Sequence, residues 1–331
     1  MKSTKKIAIT TGDVNGIGAE VTIKALKRLN LPKENVILVS NTEILEFYGS
    51  RLGFLPQQHQ IIEIPFDKNN IQPGELTKVS GEFSFQALKK ACEIAKNGEI
   101  DSIVTAPTSK EAMHLAGHKF NGQTEILQHF LAHNGQHAEM LFVANDFRVL
   151  LLTRHVSLKE ISLTKDEVIK KISDLDKFFK EKFKINTPKF ALCGFNPHAG
   201  EGGILGREEI EILQPAVNEL RAKGIDITNP IPADTLFIKA AKNYLTGNRK
   251  QRTGNSFLPS CPLDLLPSCY IACYHDQGLI PIKTVASEKT VNMTIGLDVI
   301  RTSPCHGTAF DIAGKNSASE NSMMEAIKQA I

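Results

Sequence analysis

The chain has 331 residues, with 39 Lys and Arg against 36 Asp and Glu (net charge +3), 41% hydrophobic residues and 23% charged ones. This is ordinary globular usage in a chain long enough for two domains, and it excludes disordered, collagen-like and fibrous classes. The basic residues are spread rather than blocked, which argues against a polyanion-binding surface and hence against nucleic acid as a partner.

At the N-terminus a basic stretch, Met1-Lys2-Ser3-Thr4-Lys5-Lys6, precedes apolar residues 7–9, too short a run for a signal peptide. No later run approaches the roughly 20 residues that span a bilayer, so a soluble, cytoplasmic protein is expected. The first predicted strand, 7–10, enters the turn Thr10-Thr11-Gly12-Asp13-Val14-Asn15-Gly16-Ile17-Gly18-Ala19-Glu20, with a helix starting near Ile17. A glycine turn at a helix N-terminus offers backbone N–H groups to an anion. It is not the GxGxxG of dinucleotide-binding folds, and a tight strand-to-helix turn with Asp13 capping the backbone explains it equally well.

Strands are predicted at 36–40 and 61–64. A helix follows over 82–96, where Phe85, Leu88, Ala91, Cys92 and Ala95 keep 3.6-residue spacing and Gly98 can end it. The strand at 102–106 leads into Ala106-Pro107-Thr108-Ser109-Lys110, and Gly122-Gln123-Thr124-Glu125 comes shortly after. Ligands favour the carboxyl ends of such strands. Lys110 and Thr124 suit an anionic group, although a capped helix start is an equal reading. His129 and His133 fit one face of a helix that Gly135 would end before His137; without HExxH they read as a polar face.

Strands at 140–144, 149–153, 190–194 and 270–274 alternate with helical patterns, one of them starting at Thr164 with Glu167 completing a capping box and running towards Lys182. The alternation implies an α/β protein with largely parallel pairing. Residues 246–266, rich in Gly, Asn, Ser and Pro, read as a surface insertion. Three of these strands end near a histidine: His155, His198 in Asn196-Pro197-His198-Ala199-Gly200-Glu201, and His275 in Tyr274-His275-Asp276-Gln277-Gly278. Imidazoles converging at one sheet edge suit a divalent ion, and three protein ligands with an open position make a catalytic site. Three unrelated loop histidines are the plainer alternative. Lys283, Asn292 and Arg301 follow, two cations and an amide that suit a phosphate or carboxylate.

The six cysteines, Cys92, Cys193, Cys261, Cys269, Cys273 and Cys305, contain no CxxC pair and are expected to be reduced, with Cys269 and Cys273 on a buried strand.

Taken together, Gly12-Asp13, Gly16-Ile17-Gly18, Thr105-Ala106-Pro107, Lys110, Thr124-Glu125, Asn196 to Glu201, Pro232-Ala233-Asp234-Thr235, Tyr274 to Gly278 and His306-Gly307-Thr308-Ala309 resemble the 4-hydroxythreonine-4-phosphate dehydrogenase family of pyridoxal phosphate biosynthesis. The motifs keep the family's order over nearly the whole chain. The resemblance implies a two-lobed α/β fold like that of isocitrate and isopropylmalate dehydrogenases, with a cleft between lobes. Residues 1–125 plus 285–331 would form the cofactor-side lobe and 126–284 the metal and dimerisation lobe. It implies NAD or NADP at Gly12, Asp13, Gly16, Gly18, His306, Gly307 and Thr308, and a divalent metal (Zn, Mg or Co) at His155, His198 and His275. Gln123, Thr124, Lys283, Asn292 and Arg301 fall at substrate positions, and Asp276 and Lys110 are the candidate proton acceptors.

The implied reaction is oxidation and decarboxylation of 4-phosphooxy-L-threonine to 3-amino-2-oxopropyl phosphate by a homodimer with shared active sites. A sister enzyme for phosphorylated threonate or erythronate is the alternative, ahead of a metal-dependent phosphatase or a non-catalytic relative. The sequence departs from the family where Gln123 replaces a usual histidine, where Cys305 replaces a usual aspartate, and in the length of 246–266.

Overall fold

A computed structural model describes residues 5–133, 135–250 and 266–331, and the chain divides into two compact units. The first is Met1–Ala138 with Val291–Ile331; the second, Glu139–Thr290, is inserted between them. The lobe boundaries expected at 125/126 and 284/285 would fall inside helices α5 (Gln123–Leu131) and α9 (His275–Ala286). Most of the 246–266 stretch lies outside the described residues, as does Cys261; its first five residues complete helix α8 (Ala233–Lys250).

In the first unit six strands are ordered β3-β2-β1-β4-β11-β10. β1 (Ile7–Thr10), β2 (Val36–Ser40), β3 (Gln60–Glu63), β4 (Ser102–Thr105) and β11 (Ile300–Pro304) pair in parallel, and β10 (Val291–Ile295) runs antiparallel to β11. β1, β2 and β4 are buried at every position, which is why β1 and β2 are apolar up to their last residue and β4 carries Ile103 and Val104 at its centre. Helix α3 (Lys78–Lys96) buries Phe85, Leu88, Ala91, Cys92 and Ala95 as its spacing requires. It starts four residues before the expected 82, because Thr77 accepts from the Ser80 N–H as an N-cap. Helix α10 (Asn321–Ala330) covers the other face of β4 and β11, where the Ser102 and Thr302 hydroxyls donate to the Ala330 and Ala326 carbonyls. The bond to Ala330 satisfies a carbonyl that the helix end otherwise leaves unpaired.

The second unit orders its strands β5-β6-β9-β7-β8. β5 (Glu139–Ala144) and β6 (Phe147–Leu151) form a hairpin over Asn145-Asp146, with Asn145 at φ 54°. β9 (Cys269–Ala272) lies between β6 and β7 (Lys189–Leu192) and is parallel to both; β8 (Asp226–Ile227) is parallel to β7. Helix α6 (Lys165–Glu181) has the expected capping box of Thr164 and Glu167. α5 ends at Leu131, so His133 lies beyond the helix and shares no face with His129.

Burial pushes the Cys92 and Cys269 thiols up to about 12, and those of Cys193 and Cys273 higher still. With Cys305 all are free thiols, and the four buried ones behave as small apolar side chains. Among the described residues no helix is long and apolar enough to cross a membrane.

Candidate functional site

The second unit places its histidines through its topology. Because β6, β9 and β7 are adjacent and parallel, their carboxyl ends share one edge. Beyond β6 the chain stays on β9: the Leu152 N–H donates to Ala272 O (2.8 Å), and both the N–H and the hydroxyl of Thr153 donate to Cys273 O (3.1 and 2.8 Å). His155 follows two residues later. Gln277 ties the ends of β9 and β7 together, accepting from the Cys273 N–H and donating to Gly194 O, each at 2.7 Å. A Cβ on Gly278 would lie 2.6 Å from Leu151 Cδ2, so only glycine lets the first turn of α9 sit on the strands.

His275 opens α9, and its ring centroid is 5.5 Å from that of His155. Asp276 Oδ1 is 2.7 Å from His275 Nδ1. This holds the ring and leaves Nε2 for a ligand.

His198 begins a run in which five successive residues are left-handed: His198, Ala199, Gly200, Glu201 and Gly202, at φ 52, 52, 79, 44 and 69°. For each of the three non-glycine residues this winding costs about 1 kcal/mol or more. Among the described residues no three His, Cys, Asp or Glu side chains are grouped closely enough to hold one ion. The structure therefore brings His155 and His275 together and leaves His198 outside the pair. The imidazole pair fits two ligands of a divalent ion; the expected set of three is not assembled.

The first unit holds a candidate anion site, of which the sequence located only a part. Arg301, on β11, is 3% exposed, and burial pulls its guanidinium down to about 10, still charged at neutral pH. Among the described residues no carboxylate forms a close ion pair with it, although the Glu125 carboxylate favours its charge from further off. Its Nε donates to Thr105 Oγ1 (2.7 Å) and an Nη to Gln123 Oε1 (2.5 Å). A guanidinium has five N–H donors, so three remain for an anion or water. Gln123 in turn donates to Ala106 O (3.1 Å) and Thr108 Oγ1 (3.0 Å). Its amide is thus engaged by the protein, which makes it the support of Arg301 rather than a free substrate donor. Thr124 is buried beside it in the first turn of α5.

Pairing of β10 with β11 sets Thr294 opposite Arg301 and Asn292 opposite Ser303, so these four share one sheet face. Thr10, opposite Thr105 in the β1–β4 pair, continues that face. Thr10 Oγ1, Asn292 Oδ1 and Thr294 Oγ1 are buried without a hydrogen-bond partner. Buried polar atoms normally have one, so three orphans on the sheet face of a buried cation make this face a candidate ligand site. Lys110 is exposed at the start of α4 (Lys110–Leu115), which Ser109 caps. Lys283 is exposed on α9 in the second unit, and Asp276 is likewise exposed.

The glycine turn is filled by the protein itself. A Cβ on Gly12 would lie 2.1 Å from Pro107 O, on Gly16 2.9 Å from Thr308 O and on Gly18 2.2 Å from Thr11 O. Gly12, at φ 72°, and Gly16 let the Pro107 and Thr308 loops approach, and the Ile17 N–H donates to Thr308 O (2.9 Å). The turn at the start of the chain thereby carries the His306–Thr308 loop near its end. Helix α1 (Gly18–Leu29) follows with no side-chain cap. His306 Nε2 is buried without a partner, and Gly307 is exposed with open space at its Cβ position. Of the expected cofactor residues, His306 and Gly307 are therefore open to a ligand, whereas Gly16 packs against Thr308, and Gly12 and Gly18 against the Pro107 loop and Thr11.

Asp13 is fully buried and accepts from the Asn15 N–H (3.0 Å) and the Ser80 hydroxyl (3.3 Å), so it is the internal cap of this turn. Burial outweighs those hydrogen bonds and raises its carboxyl from 3.8 to about 6. A folded-state value above the unfolded one means that Asp13 contributes most below 3.8, and the contribution is lost as pH rises through 6. The unfolding free energy of Asp13→Asn, measured against wild type by urea titration, should therefore fall by up to about 3 kcal/mol on going from neutral pH to about pH 4. A pH-independent difference would contradict this account of Asp13.

A buried arginine on a sheet face has the chemistry for a small anion, and an imidazole pair at a strand-end edge has that for a divalent ion. The chain belongs to the family described as "Pyridoxal phosphate biosynthetic protein PdxA", whose family model matches residues 10–330. It is 38% identical to the 4-hydroxythreonine-4-phosphate dehydrogenase of Thermosynechococcus vestitus, covering 98% of this chain and 95% of that one. It is 36% identical, with the same coverage, to the D-threonate 4-phosphate dehydrogenase of Cupriavidus necator. The crystal structure of the 4-hydroxythreonine-4-phosphate dehydrogenase of Klebsiella pneumoniae superposes with a TM-score of 0.81 at 33% identity, covering 98% of both chains.

Proposed function

We propose that the chain is a dehydrogenase that oxidises the secondary alcohol of 4-phosphooxy-L-threonine with NAD or NADP and decarboxylates the product to 3-amino-2-oxopropyl phosphate. The observation that carries this reading is Arg301: a buried guanidinium without a close ion pair, on a sheet face that also carries orphaned polar atoms, calls for a small anionic ligand bearing hydrogen-bonding groups. The N-terminal turn of α5, with Thr124, adds a positive helix end to the site.

Arg301 would take the anionic group and Asn292 and Thr294 its polar substituents, while Gln123 keeps the guanidinium fork oriented. Lys283 is proposed as a further cation for the substrate. His155 and His275 would hold a divalent ion, with His198, which stands outside that pair in this structure, as the proposed third ligand; when bound, the ion lowers the pKa of a coordinated alcohol. His306, Gly307 and Thr308 would meet the nicotinamide cofactor, which supplies the hydride acceptor. Lys110 is the proposed acceptor of the alcohol proton. Asp276, by its contact with His275 Nδ1, orients that ring instead. Oxidation leaves a ketone β to the carboxylate; loss of CO2 then gives an enolate that a proton quenches to the aminoketone.

Phosphorylated D-threonate is the second reading, favoured by the near-equal identity to a D-threonate 4-phosphate dehydrogenase and by the absence of an imidazole at Gln123. NADH formation with each phosphorylated substrate separates the two. Turnover of D-threonate 4-phosphate alone would reassign the substrate, and free phosphate released without NAD would sink both readings.

The enzyme is proposed to be cytoplasmic and homodimeric. Support for the dimer comes from apolar residues left exposed in the segments that follow β6, β7 and β9, among them Leu158, Ile204 (80% exposed) and Ile280 (64%). The double substitution Ile204→Glu with Ile280→Glu should yield a monomer by sedimentation. A wild-type monomer, or a variant that still dimerises, would refute this surface.

A further inference from the structure

The left-handed run at His198 to Gly202 needs something to hold it, and the structure supplies a carboxylate. Glu209, 6% exposed, stands at the start of a π-helical turn, Glu209–Leu213, just before helix α7 (Gln214–Ala222). Such turns are rare and recur at functional sites. Its Oε1 accepts from the Asn196 N–H at 2.8 Å and its Oε2 from Asn196 Nδ2 at 2.9 Å; Asn196 Nδ2 also reaches Glu208 Oε2 at 2.6 Å. A Cβ on Gly194 would come within 3.3 Å of Glu209 Oε1, and one on Gly200 within 2.7 Å of Oε2. The loop thus closes around Glu209 from three sides, and Gly206, where a Cβ would meet the Asn196 amide at 2.4 Å, seals the far side. Among the described residues no cation pairs with Glu209, so its partners are the loop alone.

We propose that Glu209 is a positioning residue: its buried carboxylate, by binding Asn196 and filling the space left by Gly194 and Gly200, holds the His198 loop in its left-handed winding and so presents the His198 imidazole. Its effect on metal rests on the reading of His198 as a ligand. The clamp itself is independent of that reading, and the test separates them.

Hydrogen exchange of the metal-free protein and titration with Co2+ alone are measured on wild type, Glu209→Gln and Gly200→Ala. The second variant presses on the same carboxylate without altering its charge. In both, the amides of residues 197–206 should exchange at least about tenfold faster, with α6 and α7 unchanged. Co2+ affinity should fall about 10- to 100-fold, and the visible spectrum of the saturated Co2+ form should shift. Faster exchange throughout the unit would overturn positioning in favour of simple core packing. Unchanged exchange in a folded variant, or wild-type amides of 197–206 exchanging at unprotected rates, would overturn the clamp. Loop loosening with no Co2+ bound by wild type would leave the clamp standing and sink the metal reading.

Discussion

Replacing Arg301 by leucine is expected to lower kcat/KM by about a hundredfold or more while leaving the melting temperature unchanged or raised. Removing one member of a buried charge pair costs about 2–5 kcal/mol, and the proposed pair here is Arg301 with the substrate anion. In the free protein the balance runs the other way. The guanidinium is buried without a close ion pair, held by one hydroxyl and one amide oxygen and favoured only from a distance by Glu125, so the fold bears much of its desolvation. Arg301→Lys keeps the charge but loses the fork and should fall between the two. Steady-state kinetics with thermal unfolding decide the matter. A loss of activity that merely tracks a fall in melting temperature would mean that Arg301 is a strut between β4, β11 and α5 and not a ligand for substrate.

The second large effect is expected at the imidazole pair. His275→Ala should abolish bound divalent metal, reduce turnover about a thousandfold or more, and remove the rise in melting temperature that added metal gives wild type. At a metal concentration of 100 Kd that rise reflects about 2.7 kcal/mol, so its absence is easily read. His155→Ala should behave alike, because the two rings stand together. Asp276→Asn should be milder, about 10- to 100-fold in metal affinity, since it alters only the group that orients His275. Metal content unchanged in His275→Ala would refute the site.

Both sites were legible in the sequence to the extent that their residues follow strands of simple pattern. β1 and β2 are apolar at all but their last position, and the histidines stand out because each follows a strand of similar pattern. β10 and β11 were missed because Asn292, Thr294, Arg301 and Ser303 interrupt them. Yet Val291, Met293 and Ile295 alternate with Asn292 and Thr294, the period of a strand with one polar face. That alternation was the available signal, and the polar face it implied is where the orphaned atoms lie. Gln123 was expected to face substrate; only the structure shows its amide divided between Arg301 and the Ala106–Thr108 backbone and hydroxyl. Glu209 left no local signature at all. Its role depends on glycines 194, 200 and 206 making room for it, which a spacing argument does not contain.

The interleaving of the two units bears on biosynthesis. Everything needed for the sheet of the second unit has been translated by Thr290, whereas the first must wait for β11, which pairs with β4 across nearly two hundred residues. Such long closures are slow to form. Until the last forty or so residues emerge, β4 has an open edge of the kind that recruits other strands. Arg301, arriving with β11, is among the last groups to take its place. A nascent or prematurely terminated chain would therefore carry a folded imidazole edge but no completed anion pocket. Truncation after the second unit should give an aggregation-prone product with no affinity for phosphorylated substrate, and not a half-active enzyme.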